Sequence, residues 1–75
     1  MQLSQAISQK RSTDWSQRPD GGQDHRKALM LLESLGDQDV TAVSWEDVEA
    51  LFDARQYAPA TRNRYAGILS SLGVP

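Results

Sequence analysis

Apolar side chains recur every three or four residues along four stretches of the chain, with polar side chains between them. This spacing places the apolar side chains on one face of an α-helix. It predicts helices over about residues 3–15, 23–35, 44–56 and 59–72. No stretch alternates apolar and polar residues with the β-branched enrichment typical of a strand. The sequence therefore predicts an all-α fold, a small bundle of four helices.

The predicted core is formed by the apolar side chains of these four stripes and by two valines of the connection at residues 37–43. A chain of 75 residues buries only about 60% of its unfolded surface, so it has room for short helices around one core and not for a deep catalytic cleft. The predicted core residues are Leu3, Ala6, Ile7, Trp15, Ala28, Leu29, Leu31, Leu32, Leu35, Val40, Val43, Val48, Leu51, Phe52, Tyr65, Ile68, Leu69 and Leu72.

Turn and capping residues separate the four helices. Residues 19–22, with the sequence PDGG, are typical of a turn between the first two helices. Gly36 is predicted to end the second helix, because glycine accepts the left-handed conformation common at that position. Ser44 and Asp47 match the capping-box pattern at the start of the third helix. Pro59 suits the first turn of the fourth helix, where its missing N–H group costs nothing.

Composition restricts the kinds of site that the chain can hold. It has no cysteine, which excludes disulfides and thiolate zinc sites, and its one histidine cannot form a metal site alone. No glycine-rich phosphate loop is present, so the sequence predicts neither a metal nor another cofactor. No apolar run approaches the ~20 residues that span a bilayer, and the N-terminus lacks the apolar core of a signal peptide. We therefore expect a soluble, cytoplasmic protein without a membrane partner.

Charge is segregated along the chain, although the net charge is only −2. Residues 1–27 contain five basic and three acidic residues. Residues 28–54 contain seven acidic residues and no basic residue, whereas residues 55–75 contain three arginines and no acid. This segregation allows a net-acidic chain to present a basic face to an anionic partner.

The last basic segment coincides with the predicted start of the fourth helix. Thr61, Arg62, Asn63 and Arg64 lie within its first turns, where backbone N–H groups attract anions. Arginine and asparagine are also the side chains that make paired hydrogen bonds to guanine and adenine. The pattern is typical of a nucleic-acid contact, and a simpler interpretation, solvated charge on a helix surface, stays open.

Three strings of residues resemble one protein family. They are LGD at residues 35–37, VSWEDV at residues 43–48 and PATRNRY at residues 59–65. Trp15 also stands where that family commonly ends its first helix with tryptophan. Together they resemble the core-binding domain of phage- and plasmid-type tyrosine recombinases, the site-specific integrases, over roughly residues 3–73. One departure is Ala58, which stands where the family usually has a capping serine.

The resemblance implies a SAM-like orthogonal bundle that clamps duplex DNA beside the strand-exchange site. Its second and fourth helices would face the major groove, and its acidic third helix would face away from the phosphates. The DNA contacts that it implies are Thr61, Arg62, Asn63 and Arg64, then His25, Arg26 and Lys27, and, on charge alone, Lys10 and Arg11.

The family's catalytic residues lie in a second domain that is not in this chain. The chain is therefore expected to be a single core-binding domain over residues 1–75, a non-catalytic fragment of a bacterial or phage-encoded recombinase. Its expected partners are double-stranded DNA and that catalytic domain, and it is expected to be monomeric in isolation. Tyr57 and Tyr65 are not assigned the role of the family's nucleophile, and Tyr65 is expected to pack in the core.

A function of a different class is also open. Small helical bundles often bind other proteins, and the acidic segment at residues 33–53 offers a docking surface for a basic partner. The two interpretations differ in the face that interacts. DNA would contact the arginine-bearing start of the fourth helix, whereas a protein would contact the acidic face of the third.

Overall fold

The computed structural model describes all 75 residues and contains four α-helices and no β-strand. The helices are α1 (Leu3–Thr13), α2 (Gly21–Leu35), α3 (Trp45–Ala54) and α4 (Pro59–Ser71). Single 3₁₀ turns at Trp15–Gln17 and Val40–Ala42 lie in the first two connections. The predicted all-α fold of four short helices is confirmed, and its SAM-like arrangement stays a prediction from the resemblance.

One hydrophobic core joins all four helices, and α2 packs against each of the other three. Most predicted core residues are buried, while Leu32, Leu35 and Leu51 are partly buried and pack against its edge. Val74 also enters the core, although the sequence pattern did not include it. The buried apolar residues are Leu3, Ala6, Ile7, Trp15, Ala28, Leu31, Val40, Val43, Val48, Phe52, Tyr65, Ile68, Leu69, Leu72 and Val74.

The prediction that Leu29 lies in the core is wrong, since this side chain is 45% exposed. The buried face of α2 passes through Asp24, Ala28 and Leu31, which recur at intervals of four and three residues. Each residue turns the helix by about 100°, so Leu29 points away from the stripe that contains its neighbour Ala28. Because leucines are frequent between residues 29 and 35, the sequence alone did not show which side of α2 is buried. Asp24 lies on that buried side.

The corner between α1 and α2 is tighter than the sequence predicts. α1 ends at Thr13, and Trp15 then starts a 3₁₀ turn with its side chain buried. Gly21 and Gly22 form the first turn of α2 instead of a loop, so the predicted turn is shorter than residues 19–22. The Gly21 N–H group donates to the Arg18 carbonyl at 3.1 Å, which closes the corner.

Ser44 is the N-cap of α3, as predicted, and its hydroxyl accepts a hydrogen bond from the Glu46 N–H group at 3.2 Å. The reciprocal bond from the Ser44 N–H group to Asp47 is not formed, so the predicted capping box is wrong. α4 begins with Pro59 in its first turn, and its N-cap residue Ala58 offers no side-chain bond.

Aromatic packing joins the end of α3 to α4. The rings of Tyr57 and Tyr65 stack with their planes 2° apart and their centroids 5.0 Å apart. Phe52 lies beside both rings. Burial is the main cause that raises the pKa of the Tyr65 phenol above its usual value. The prediction that Tyr65 packs in the core is confirmed.

Gln56 adopts a left-handed backbone conformation, with φ of 56°, in the link between α3 and α4. A side chain costs energy there, because Cβ crowds the following carbonyl group. Gln56→Gly is therefore expected to stabilise the fold by about 0.5 kcal/mol, the strain relief being partly offset by glycine's freedom in the unfolded chain. Thermal unfolding checks this as a rise in Tm of about 2–4 °C.

The matched control for this change is Gly36→Ala. Gly36 has φ of 81° and open space around it, so alanine there brings strain without a clash and is expected to lower Tm. A fall in Tm for Gln56→Gly would contradict the prediction.

None of the four helices combines the length and the apolarity that crossing a bilayer requires. The longest of them, α2, has 15 residues.

Candidate nucleic-acid interface

The early turns of α2 and α4 lie side by side and form a groove of about 290 Å³. We call it the α2/α4 groove; Gln23, Lys27, Ala60, Thr61 and Arg64 line it. Three of these residues were predicted from the sequence as DNA contacts. No acidic residue lines the groove, so its charge comes from one lysine and one arginine.

Arg64 is held in place by two aspartates at the start of α2, Asp20 and Asp24. Its Nε and Nη2 atoms donate to the Asp24 Oδ1 atom at 3.2 and 2.8 Å. Nη2 also lies 3.5 Å from the Asp20 Oδ2 atom. The hydrogen bond to Asp24 is the main cause that raises the pKa of the guanidinium above its usual value. The third nitrogen, Nη1, has no partner within the chain.

Asp24 is the only buried charged residue, with 6% of its surface exposed. Its second oxygen, Oδ2, lies 3.6 Å from Nη2 of Arg18. Arg18 and Lys10 both contact the Asp14 carboxylate, at 3.1 and 3.3 Å. These contacts extend the pair between Asp24 and Arg64 into an ion-pair network that joins α1, the α1–α2 corner, α2 and α4.

The sequence did not reveal the partner of Asp24. It predicted that Asp24 stabilises α2 through the positive end of the helix dipole. The position of Asp24 in the first turn of α2 supports this role. Nothing in local spacing links it to an arginine 40 residues away. One signal was available: Asp24 stands four residues before Ala28 and seven before Leu31, in phase with the apolar stripe. A charged residue in that phase must find a partner when it is buried.

Asn63 and Lys10 lie in a second groove, of about 380 Å³, on the other side of Arg64. Arg64 lines both grooves and forms the ridge between them. Lys10 contributes less free charge than predicted there, because it already pairs with Asp14. Asn63 is exposed and available for contact.

Arg62 faces α3 instead of the α2/α4 groove. Its Nη2 atom lies 2.6 Å from the Asp53 Oδ1 atom, and its Nε atom donates to the Tyr57 carbonyl at 2.9 Å. These contacts tie the start of α4 to the end of α3. Consecutive helical residues point about 100° apart, and for this reason the set from Thr61 to Arg64 is divided among three directions.

His25 and Arg11 share a third groove, of about 370 Å³, at the α1–α2 corner. The His25 ring is half-buried and lies 6.0 Å, centroid to centroid, from the ring of Trp15. Arg26 is exposed on α2. Neither Arg11 nor Arg26 has a carboxylate within 4.0 Å.

Free charge is distributed unevenly over the surface. The basic residues without a carboxylate partner are Arg11, Arg26, Lys27 and Arg55, and two of them follow each other in the early part of α2. The exposed acids of α3 without a basic partner are Glu46, Asp47 and Glu49. The α2/α4 groove and the outer face of α3 are therefore surfaces of opposite sign.

Comparisons with protein-family models, with curated proteins and with solved structures found no match to the chain. The resemblance of roughly residues 3–73 to the recombinase domain therefore stays a prediction.

Proposed function

We propose that the chain is a DNA-binding module that places its α2/α4 groove against the phosphate backbone of a duplex. The observation that supports this function most directly is the convergence of Lys27 from α2 with Thr61 and Arg64 from α4 in one groove without an acidic lining. Lys27 is 34 positions from Thr61 and 37 from Arg64 in the sequence, and the fold brings the three together.

The chemistry of the groove suits a phosphate group. Lys27 supplies a flexible ammonium group, Thr61 a hydroxyl group, and Arg64 the two free N–H donors of its Nη1 atom. Thr61 is the third residue of α4, whose first backbone N–H groups attract anions. Contacts of this kind position a protein on DNA and supply most of its affinity, which falls as salt rises.

The orientation follows from the distribution of charge. Beside the groove residues in sequence, Arg26 next to Lys27 and Asn63 next to Arg64 are exposed side chains of the types that bond base edges. Of the free acids of α3, Glu49 shares a groove with Asn63, whereas Glu46 and Asp47 line neither that groove nor the α2/α4 groove. In the recombinase that the sequence resembles, such a module holds the duplex for a separate catalytic domain.

An NMR titration of the ¹⁵N-labelled chain with a short duplex tests the proposal. We expect amide shifts at residues 23–27 and 59–64, because these segments form the groove walls. The shifts should weaken strongly between about 50 mM and about 200 mM salt, since phosphate contacts release counterions. Absence of shifts at the lower salt concentration would contradict DNA binding.

A second candidate function is docking of a basic protein on α3. The observation that favours it is the row of exposed acids Glu46, Asp47 and Glu49, none of which has a basic partner in the chain. The same titration with a lysine-rich helical peptide tests it. Shifts confined to residues 45–53, together with no response to the duplex, would favour this function over DNA binding.

A further inference from the structure

We infer that Asp24 is a positioning residue for DNA binding: it holds Arg64 so that the Nη1 edge of the guanidinium faces a phosphate. The inference rests on the DNA-binding function proposed above. An acid next to a DNA-contacting arginine is ordinarily unfavourable, because it repels phosphate. The geometry around Asp24 indicates instead that this acid favours DNA binding, because it orients Arg64.

Asp24 holds the guanidinium of Arg64 along one edge. A guanidinium is a planar fork with five N–H donors. Asp24 occupies the side formed by Nε and Nη2, at 3.2 and 2.8 Å, and thereby leaves Nη1 directed away from the carboxylate. Asp24 is itself immobilised by burial on the inner face of α2. The flexible arginine is therefore ordered when the chain folds, and less freedom is lost when DNA binds.

The charged neighbours of Asp24 offset its repulsion of a phosphate. Asp24 lies between two arginines, because Oδ1 accepts from Arg64 and Oδ2 lies 3.6 Å from Arg18. Asp24 belongs to an ion-pair network in which the three acids Asp14, Asp20 and Asp24 face three bases, so its negative charge is neutralised within the chain. Since its carboxylate is buried and does not line the α2/α4 groove, a phosphate in that groove meets Lys27 and the free Nη1 edge.

The test depends on the sign of a change in affinity. If Asp24 acts only through its charge, Asp24→Ala should bind a short duplex more tightly, since one repulsive charge is gone. If Asp24 positions Arg64, the same variant should bind about three- to tenfold more weakly, as measured by fluorescence anisotropy at low salt. Glu33→Ala is the matched control: it removes one exposed acid from the same helix and should raise affinity slightly.

A double-mutant cycle separates positioning from a general loss of structure. In an Arg64→Ala background there is no guanidinium to orient, so Asp24→Ala should then raise affinity instead of lowering it. The Nε–H resonance of Arg64 gives an independent reading. The Nε–H proton should exchange slowly with water in the wild-type chain and rapidly in Asp24→Ala.

Circular dichroism establishes whether each variant is folded. If Asp24→Ala is unfolded, Asp24→Leu replaces it, because an apolar side chain of similar size fills the buried position without an acceptor for Arg64, and it too should bind more weakly than wild type. Tighter binding by the folded Asp24 variant, or the same sign of change in both backgrounds, would overturn the positioning role. Failure of the wild-type chain to bind any duplex would instead overturn the proposed function itself, and the two failures are thus distinct.

Discussion

Gly21→Ala is expected to destabilise the fold by about 3 kcal/mol, at or beyond the upper end of ordinary overpacking. A Cβ atom at this position would lie 1.8 Å from the Trp15 carbonyl oxygen and 2.5 Å from its carbonyl carbon. Both are backbone atoms, so no side-chain rotation can relieve the clash. A domain of 75 residues is typically stable by about 4–11 kcal/mol, and the loss is therefore a large part of the total.

The next residue provides the control. A Cβ atom at Gly22 would meet nothing within 4 Å, and Gly22 lies in the same first turn of α2. Gly22→Ala is expected to stabilise the fold by about 0.5 kcal/mol, because alanine loses less freedom than glycine when the helix forms. Urea unfolding of the two variants measures the difference. Equal stabilities would show that the α1–α2 corner is not packed as closely as described.

This corner also supports the candidate interface. The close approach of Gly21 to Trp15 sets where α2 begins, and Asp24 and Lys27 follow within the next two turns. A displaced start of α2 would move Asp24 relative to Arg64. We therefore expect Gly21→Ala to weaken DNA binding along with stability, whereas Gly22→Ala should affect neither adversely.

The fold was largely predictable because apolar spacing determines it. The stripes of α1, α3 and α4 have few competing apolar residues, and their buried faces were predicted correctly. In α2, Leu29 was assigned to the core because it is apolar, but its position along the helix places it on the exposed side. Gly21 and Gly22 were assigned to a turn because glycine is usual in turns. Only the contact with Trp15 shows why glycine is required inside the helix.

The candidate interface was predictable in part. Lys27, Thr61 and Arg64 were all expected near DNA, and their meeting in one groove follows from the packing of α2 against α4. The pairing of Arg62 with Asp53 and of Arg64 with Asp24 depends on side chains that local patterns do not connect. Net charge by segment therefore overestimated the free positive charge of α4, and it underestimated the contribution of α2.

Lys27→Glu is expected to lower affinity for a short duplex about 30-fold at about 0.1 M salt, a loss of about 2 kcal/mol. The change removes the one groove cation without a carboxylate partner. It also introduces an acid in the groove that Arg64 lines, where the new carboxylate can pair with the free Nη1 atom. Glutamate is a good helix former, so stability should change little.

Arg55→Glu is the control with the same change in net charge. Arg55 donates to the Ser34 hydroxyl at 2.8 Å, and Ser34 lies about 10 Å along α2 from Lys27. At that distance, exposed charges are partly screened at about 0.1 M salt, so affinity should fall only about threefold. Anisotropy titrations over a range of salt concentrations compare the two variants. Lys27→Glu should also reduce the slope of log affinity against log salt concentration by about one, since one phosphate contact is lost. Equal losses of affinity for both variants would show that DNA responds to the net charge of the chain and not to the α2/α4 groove.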